Sequence, residues 1–158
     1  MQIEIIATGR LKEKYLKAAC DEYLKRLAPY ARVQVTEVPD LPVPAYSPAE
    51  EAAVREAEGE SILRKVGEGT FVIALDLGGE EMGSEEFAAY LDRLAVTGRS
   101  KVAFVIGGAT GLGDNVRKRA DLRLSLGRMT FPHQLVRVIL LEQVYRAIRI
   151  RRGEPYHR

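Results

Sequence analysis

The sequence predicts an α/β fold: a parallel sheet with helices on both faces, in one domain spanning residues 1–158. Three observations carry this. Short apolar runs alternate with longer amphipathic ones in the order βαβαβαβαβα, which implies a parallel sheet covered on both sides. Two of the runs, FVIALDL and VAFVI, are almost wholly apolar, as central parallel strands must be when both faces are buried. The length of 158 residues suits one well-formed core and is short for two.

Taken in order, residues 3–7 read as a first strand ending at Thr8-Gly9. Residues 12–27 place Leu16, Cys20, Tyr23, Leu24 and Leu27 on one helical face, and Pro29 ends that helix. Residues 32–38 alternate as a second strand. Four prolines within residues 39–48 make an irregular loop. Ser47-Pro48-Ala49-Glu50 then forms a capping box with proline at the first helical position, opening a helix to about Val66. The third strand covers residues 71–77 and should break at Gly78-Gly79. Ser84 caps a helix to about Val96, with Glu85 and Glu86 favourable in its first turn. Strand 102–106 stops at GGATGLG, and a short helix over 114–120 leads to a fifth strand over 122–126. After a turn at 127–133, residues 134–150 contain neither Gly nor Pro and read as one helix of about 25 Å. Its polar residues Glu142, Arg146 and Arg149 form a narrow stripe, and its apolar face is wider than one core contact requires. Such a helix suits a buried interface.

Composition excludes several classes. No apolar run approaches the roughly 18 residues of a membrane helix, and MQIEIIATGR carries an acid inside its apolar run and no cleavage-like site, so no signal peptide is expected. The single cysteine, Cys20, leaves no internal disulfide and fits a reducing, cytoplasmic setting. Only His133 and His157 are present, without His or Cys at ligand spacing, so no metal is expected. The net charge of +2 conceals an asymmetry: from Arg117 onward eleven Lys/Arg face three acids, a net +8, and residues 1–116 carry thirteen against nineteen, a net −6. That points either to a polyanionic partner or to solvated helix faces with cations at a helix C-terminus.

Ligands of parallel sheets bind beyond the carboxyl ends of the strands. Three loops leave central strands there, at 75–79, 107–113 and 126–133. The glycines of GGATGLG permit close backbone approach, but neither the dinucleotide fingerprint nor a P-loop is complete, so a pyrophosphate cofactor is disfavoured. No G-x-S-x-G elbow is present. The ending RRGEPYHR joins Tyr156, His157 and Arg158. Chain ends usually fray, and the same three groups suit stacking on and hydrogen bonding to an unpaired RNA base.

The segments LDLGGEEMGSEEFA, FVIGGATGLG, LSLGRMTFPHQLVRVILLEQVYRA and the terminal PYHR together resemble the bacterial ribosomal RNA large subunit methyltransferase H family, a branch of the SPOUT methyltransferases. The resemblance covers essentially the whole chain and is strongest after Phe71. It implies a C-terminal trefoil knot, a homodimer paired through knot helices, and S-adenosylmethionine as cofactor. It also implies methylation of N3 of a pseudouridine in large-subunit ribosomal RNA on the assembled ribosome, with no membrane partner. Carried over by position, the cofactor contacts are Leu75, Gly107, Leu126, Gly127, Arg128, Met129, Thr130 and Phe131. His157, Tyr156 and Arg146 are the expected catalytic residues: His157 a base, Tyr156 a stacking or positioning group, and Arg146 or Arg158 a stabiliser of negative charge on the base or its phosphate. Thr110 stands where several relatives carry an acidic or amide residue. A non-catalytic ribosome-binding dimer and a small-molecule enzyme unrelated to RNA are the competing expectations.

Overall fold

The computed structural model describes residues 1–43 and 47–155. Strands β1 (Gln2–Thr8), β2 (Arg32–Val38), β3 (Phe71–Glu81), β4 (Lys101–Ile106) and β5 (Leu122–Ser125) alternate with helices α1 (Lys14–Leu27), α2 (Pro48–Lys65), α3 (Ser84–Val96), α4 (Asp114–Arg119) and α5 (His133–Arg151). The strands form one all-parallel sheet in the order β2-β1-β4-β3-β5.

Period-two alternation divides each strand between two cores. Ile3, Ile5, Ile73, Val102, Phe104 and Ile106 face α1, α3 and α5. Ile6, Val72, Ala74, Ala103 and Val105 face α2 and α4. Both sides of β4 are therefore dry, and a fully buried side chain such as Phe104 contributes about 3 kcal/mol. The helices present the complementary stripes. Leu16, Cys20 and Leu27 are buried on α1, and Phe87, Leu91 and Leu94 on α3. α5 lies against both, with Tyr145 between Tyr23 and Tyr30 at centroid distances of 6.3 and 6.4 Å. Among the described residues no helix is long and apolar enough to cross a membrane.

Two helix starts show the local chemistry. Ser47 Oγ accepts the Glu50 N–H at 3.2 Å, as the capping box requires. At α3 the cap is Gly83 rather than Ser84: the Gly83 N–H donates to Glu86 Oε1 at 3.1 Å, which frees Ser84 Oγ to donate to Gln143 Oε1 at 2.9 Å and tie α3 to α5.

β3 departs from the sequence expectation. It does not end at Gly78-Gly79 but runs on to Glu81, pairing with β5 at residues 73–75 and again at 80–81. Leu75 and Glu80 both oppose Leu124, so the four residues between them bulge out of the ladder. Gly79 makes the return possible, because a Cβ there would lie 2.6 Å from the Arg123 backbone. Gly78 has nothing within 4 Å of the same position. Gly79→Ala is therefore expected to lower the urea midpoint by roughly 1–3 kcal/mol in stability, and Gly78→Ala to stay within about 0.5 kcal/mol of wild type. Equal effects would show that the close approach does not constrain this turn.

Candidate active site

The bulge after Leu75 carries Asp76 and Leu77 over the carboxyl edge of the sheet. Asp76 is 10% exposed and held from three directions: Oδ2 accepts from Arg117 Nε at 3.1 Å and Arg123 Nη1 at 3.4 Å, and Oδ1 accepts the Gly78 N–H at 3.3 Å. One carboxylate thus ties β3 to α4 and β5.

The glycine loop after β4 folds back on itself. The Gly111 N–H donates to the Gly108 carbonyl at 3.0 Å, and a Cβ on Gly107 would fall 2.7 Å from the Gly111 carbonyl oxygen. Behind it sits Glu58 of α2, 4% exposed. Its Oε2 accepts the Leu41 N–H at 2.9 Å, and its Oε1 is buried with no partner among the described residues, 3.2 Å from where a Cβ on Gly108 would lie. Burial pushes this carboxyl up; the Leu41 N–H opposes the shift and Asp40 adds to it.

The third loop follows β5. Ser125 Oγ donates to the Gly127 carbonyl at 2.9 Å and accepts the Gly127 N–H at 3.1 Å, which closes a tight turn where Gly127 has φ +124°. The chain then crosses to His133, the first residue of α5. Burial lowers the His133 pKa from its ordinary value, Arg137 lowers it further, and Asp40 works the other way. The imidazole is accordingly neutral near pH 7.

All three loops meet at one cavity of about 260 Å³. Leu75, Gly107, Leu126, Gly127, Met129, Thr130 and Phe131 line it, so seven of the eight residues expected to touch a cofactor share one wall system. Arg128 is exposed and does not line it. Residues not singled out from the sequence for cofactor contact also line it, notably Asp76, Leu77, Leu112, Arg117 and Val136. The acid inside FVIALDL was the one available signal for Asp76; nothing in the sequence marked Arg117. At the rim Leu77 and Met129 are 54% and 79% exposed, apolar surface that a ligand would cover. Apolar walls, backbone turns and a few fixed polar groups are the usual composition of a small-molecule site.

Of the expected catalytic residues, Arg146 alone is among the described ones. Arg146 sits far along α5, paired with Glu142 at 3.1 Å, and does not line the cavity. From Val136 it is about 15 Å along the helix axis. Tyr156 and His157 fall outside the described residues. Thr110 Oγ1 is buried with no partner among the described residues, and the Thr110 carbonyl accepts from Arg55 Nη1 at 3.5 Å.

A family model described as "Predicted SPOUT methyltransferase" matches residues 1–157. The ribosomal RNA large subunit methyltransferase H of Bacillus thuringiensis (strain Al Hakam) is 58% identical over 159 residues, covering 100% of both chains. The protein of the same name from Carboxydothermus hydrogenoformans is 55% identical, again over 100% of both. Among solved structures, a probable methyltransferase from Bordetella pertussis Tohama I superposes with a TM-score of 0.57 at 16% identity, covering 92% of this chain and 95% of that one. A putative methylase family protein from Neisseria gonorrhoeae gives 0.52 at 15% identity over 90% and 81%. These two share the fold. With its full-length match and its three converging loops, the chain belongs to the SPOUT methyltransferase family, in the branch of the ribosomal RNA large subunit methyltransferase H proteins.

Proposed function

We propose that this chain is an S-adenosylmethionine-dependent methyltransferase that methylates N3 of a pseudouridine in large-subunit ribosomal RNA on the assembled ribosome. The observation that carries the reading is the convergence of the loops after β3, β4 and β5 on one cavity, in a chain that matches its named relatives from end to end.

The cavity's residues fit the cofactor. Leu75, Leu126 and Met129 offer apolar contact to adenine and to the methionine chain, and the turns at Gly107 and Gly127 bring backbone groups close to polar edges. When bound, the sulfonium supplies a methyl group already activated for in-line displacement. The protein's part is to align the attacking atom, exclude water and handle one proton. Leu77 and Phe131 at the rim shield the site from solvent. A neutral His133 adds no positive charge beside a cationic donor.

As N3 of the pseudouridine bonds to the methyl carbon and the carbon–sulfur bond breaks, the N3 proton must leave. His157 is assigned as the group that takes it, Tyr156 as the group that stacks on or positions the base, and Arg146 as the stabiliser of the negative charge on the imidate. The distance of Arg146 from its own cavity supports a homodimer in which one subunit's α5 and C-terminal segment complete the site of the other. Val138 and Ile139, half-buried on α5, provide apolar surface for such a pairing. The trefoil knot and a cytoplasmic location belong to the same reading.

S-adenosylmethionine at one hundred times its Kd should raise stability by about 2.7 kcal/mol, seen as a thermal shift. No shift would leave the non-catalytic ribosome-binding dimer as the better account. With ribosomes lacking the modification and tritiated cofactor, His157→Ala is expected to cut methyl transfer by roughly 10²–10⁴-fold. Tyr156→Phe should act mainly through loss of its hydroxyl. Wild-type turnover in both variants would remove those assignments. His133 gives a test of sign. Its folded pKa lies below the unfolded value of 6.5, so its contribution to stability is full above that value and lost as pH falls through the folded pKa. The urea midpoint of wild type should therefore drop more steeply than that of His133→Gln between about pH 7 and about pH 5. Parallel curves would mean that His133 is not held neutral.

A further inference from the structure

A second cavity, of about 580 Å³, opens between α1, β1, β2 and α5 at the same carboxyl edge of the sheet. Its charged lining is unbalanced: Arg10, Lys12, Lys17 and Arg137 face Asp21 and Glu37. Arg137 is 2% exposed and already committed, its Nη1 to Glu37 and its Nη2 to the Gly9 carbonyl, with Nε buried and without a partner among the described residues. Glu37 is thereby engaged. Arg10, Lys12 and Lys17 have no ion-pair partner among the described residues and stand against Asp21 alone.

The remaining cations give this contrast its meaning. The charge sum assigns the excess positive charge to the C-terminal third, yet Arg117, Arg119, Arg123, Arg137, Arg146, Arg149, Arg151 and Arg152 each pair with an acid. Lys118 and Arg128 are left in that third without an acid partner among the described residues, and neither lines either of the two cavities; beside the second cavity the free positive charge is Arg10, Lys12 and Lys17. Its position relative to the candidate active site is set by α5. His133 and Val136 line the first cavity, Arg137 and Leu141 the second. The step from His133 to Arg137 is one helical turn, about 6 Å.

We infer that the cavity bounded by Arg10, Lys12 and Lys17 is a phosphate-binding subsite that holds the RNA backbone next to the nucleotide being methylated. The inference rests on the proposed RNA substrate. A strand whose target base enters the first cavity has its flanking phosphates within reach of the second, where three unpaired cations release condensed counterions on contact. Buried Arg137 anchors the wall between the two cavities; the exposed cations make the contacts.

The test is the triple variant Arg10→Ala, Lys12→Ala, Lys17→Ala, with Lys12→Arg, Lys17→Arg as its charge-preserving counterpart. Direct binding to unmodified ribosomes is measured across salt concentrations, together with methyl transfer and S-adenosylmethionine affinity. The triple variant is expected to weaken ribosome binding and raise KM for ribosomes by roughly tenfold or more at about 0.1 M salt. It should also flatten the slope of log affinity against log salt by about 2. Cofactor affinity should hold, and the arginine pair should keep the wild-type slope. A triple variant with wild-type slope and KM overturns the subsite, and so does a loss that the arginine pair fails to rescue. Wild-type protein that binds ribosomes but transfers no methyl group would overturn the proposed reaction alone, because the salt slope still reads the phosphate contacts.

Discussion

Leu124 is opposed twice along β3, first by Leu75 and then by Glu80. A ladder has room for one partner, so the intervening residues must leave the sheet, and they leave at its carboxyl edge. Everything functional in this fold follows from where that excursion goes. It lifts Leu75, Asp76 and Leu77 toward the loops after β4 and β5, and Asp76 fixes it there by engaging Arg117 and Arg123 at once. Without the bulge, β3 would end in an ordinary strand-to-helix turn, and the cavity would lose one of its three walls.

The second constraint is electrostatic. The C-terminal third carries eleven of the twenty-four Lys/Arg residues, yet most of the described ones are paired. Acids from the N-terminal part supply many of the partners: Glu37 for Arg137, Asp76 for Arg117 and Arg123, Asp92 for Arg151. The more exposed of these pairs, such as Arg151 with Asp92, add little stability. Their larger effect is on the surface field, because a paired guanidinium attracts a polyanion less than a free one. A charge total along the sequence therefore does not say which cations are free, and only their positions in the fold separate the occupied from the available.

How far the sequence was legible depends on the range of the interaction involved. Strands β1 to β5 and their helices follow from local periodicity, and so does the direction in which the loops point. Ile3 and Ile5 against Ile6, or Val102 and Phe104 against Val105, are assigned to opposite faces by alternation alone. What failed was non-local. Gly78-Gly79 looked like a break because glycine weakens strands, but the deciding contact is between Gly79 and the Arg123 backbone, forty-odd residues away. The α3 cap moved from Ser84 to Gly83 for a similar reason: Ser84 Oγ has a better use on Gln143, fifty-nine positions on. The acid inside FVIALDL marked Asp76 as unusual, but its pairing with Arg117 was not legible because the two lie 41 positions apart.

The glycine loop shows why fold and site cannot be assigned separately. Read as a ligand loop, GGATGLG is an incomplete motif; read as a turn, its glycines seem excessive. The contacts resolve this. Gly107 is small so that the Gly111 carbonyl can approach, Gly113 so that the Arg55 carbonyl can, and Gly59 on α2 so that Asn115 can reach the Glu56 carbonyl at 3.0 Å. These contacts draw α2, α4 and the loop into one block, with buried Glu58 beside Gly108 and the cavity on the other side. The loop's ordering cost is met during folding rather than at binding, so the glycines that appear to serve only packing also hold this wall of the cavity in place.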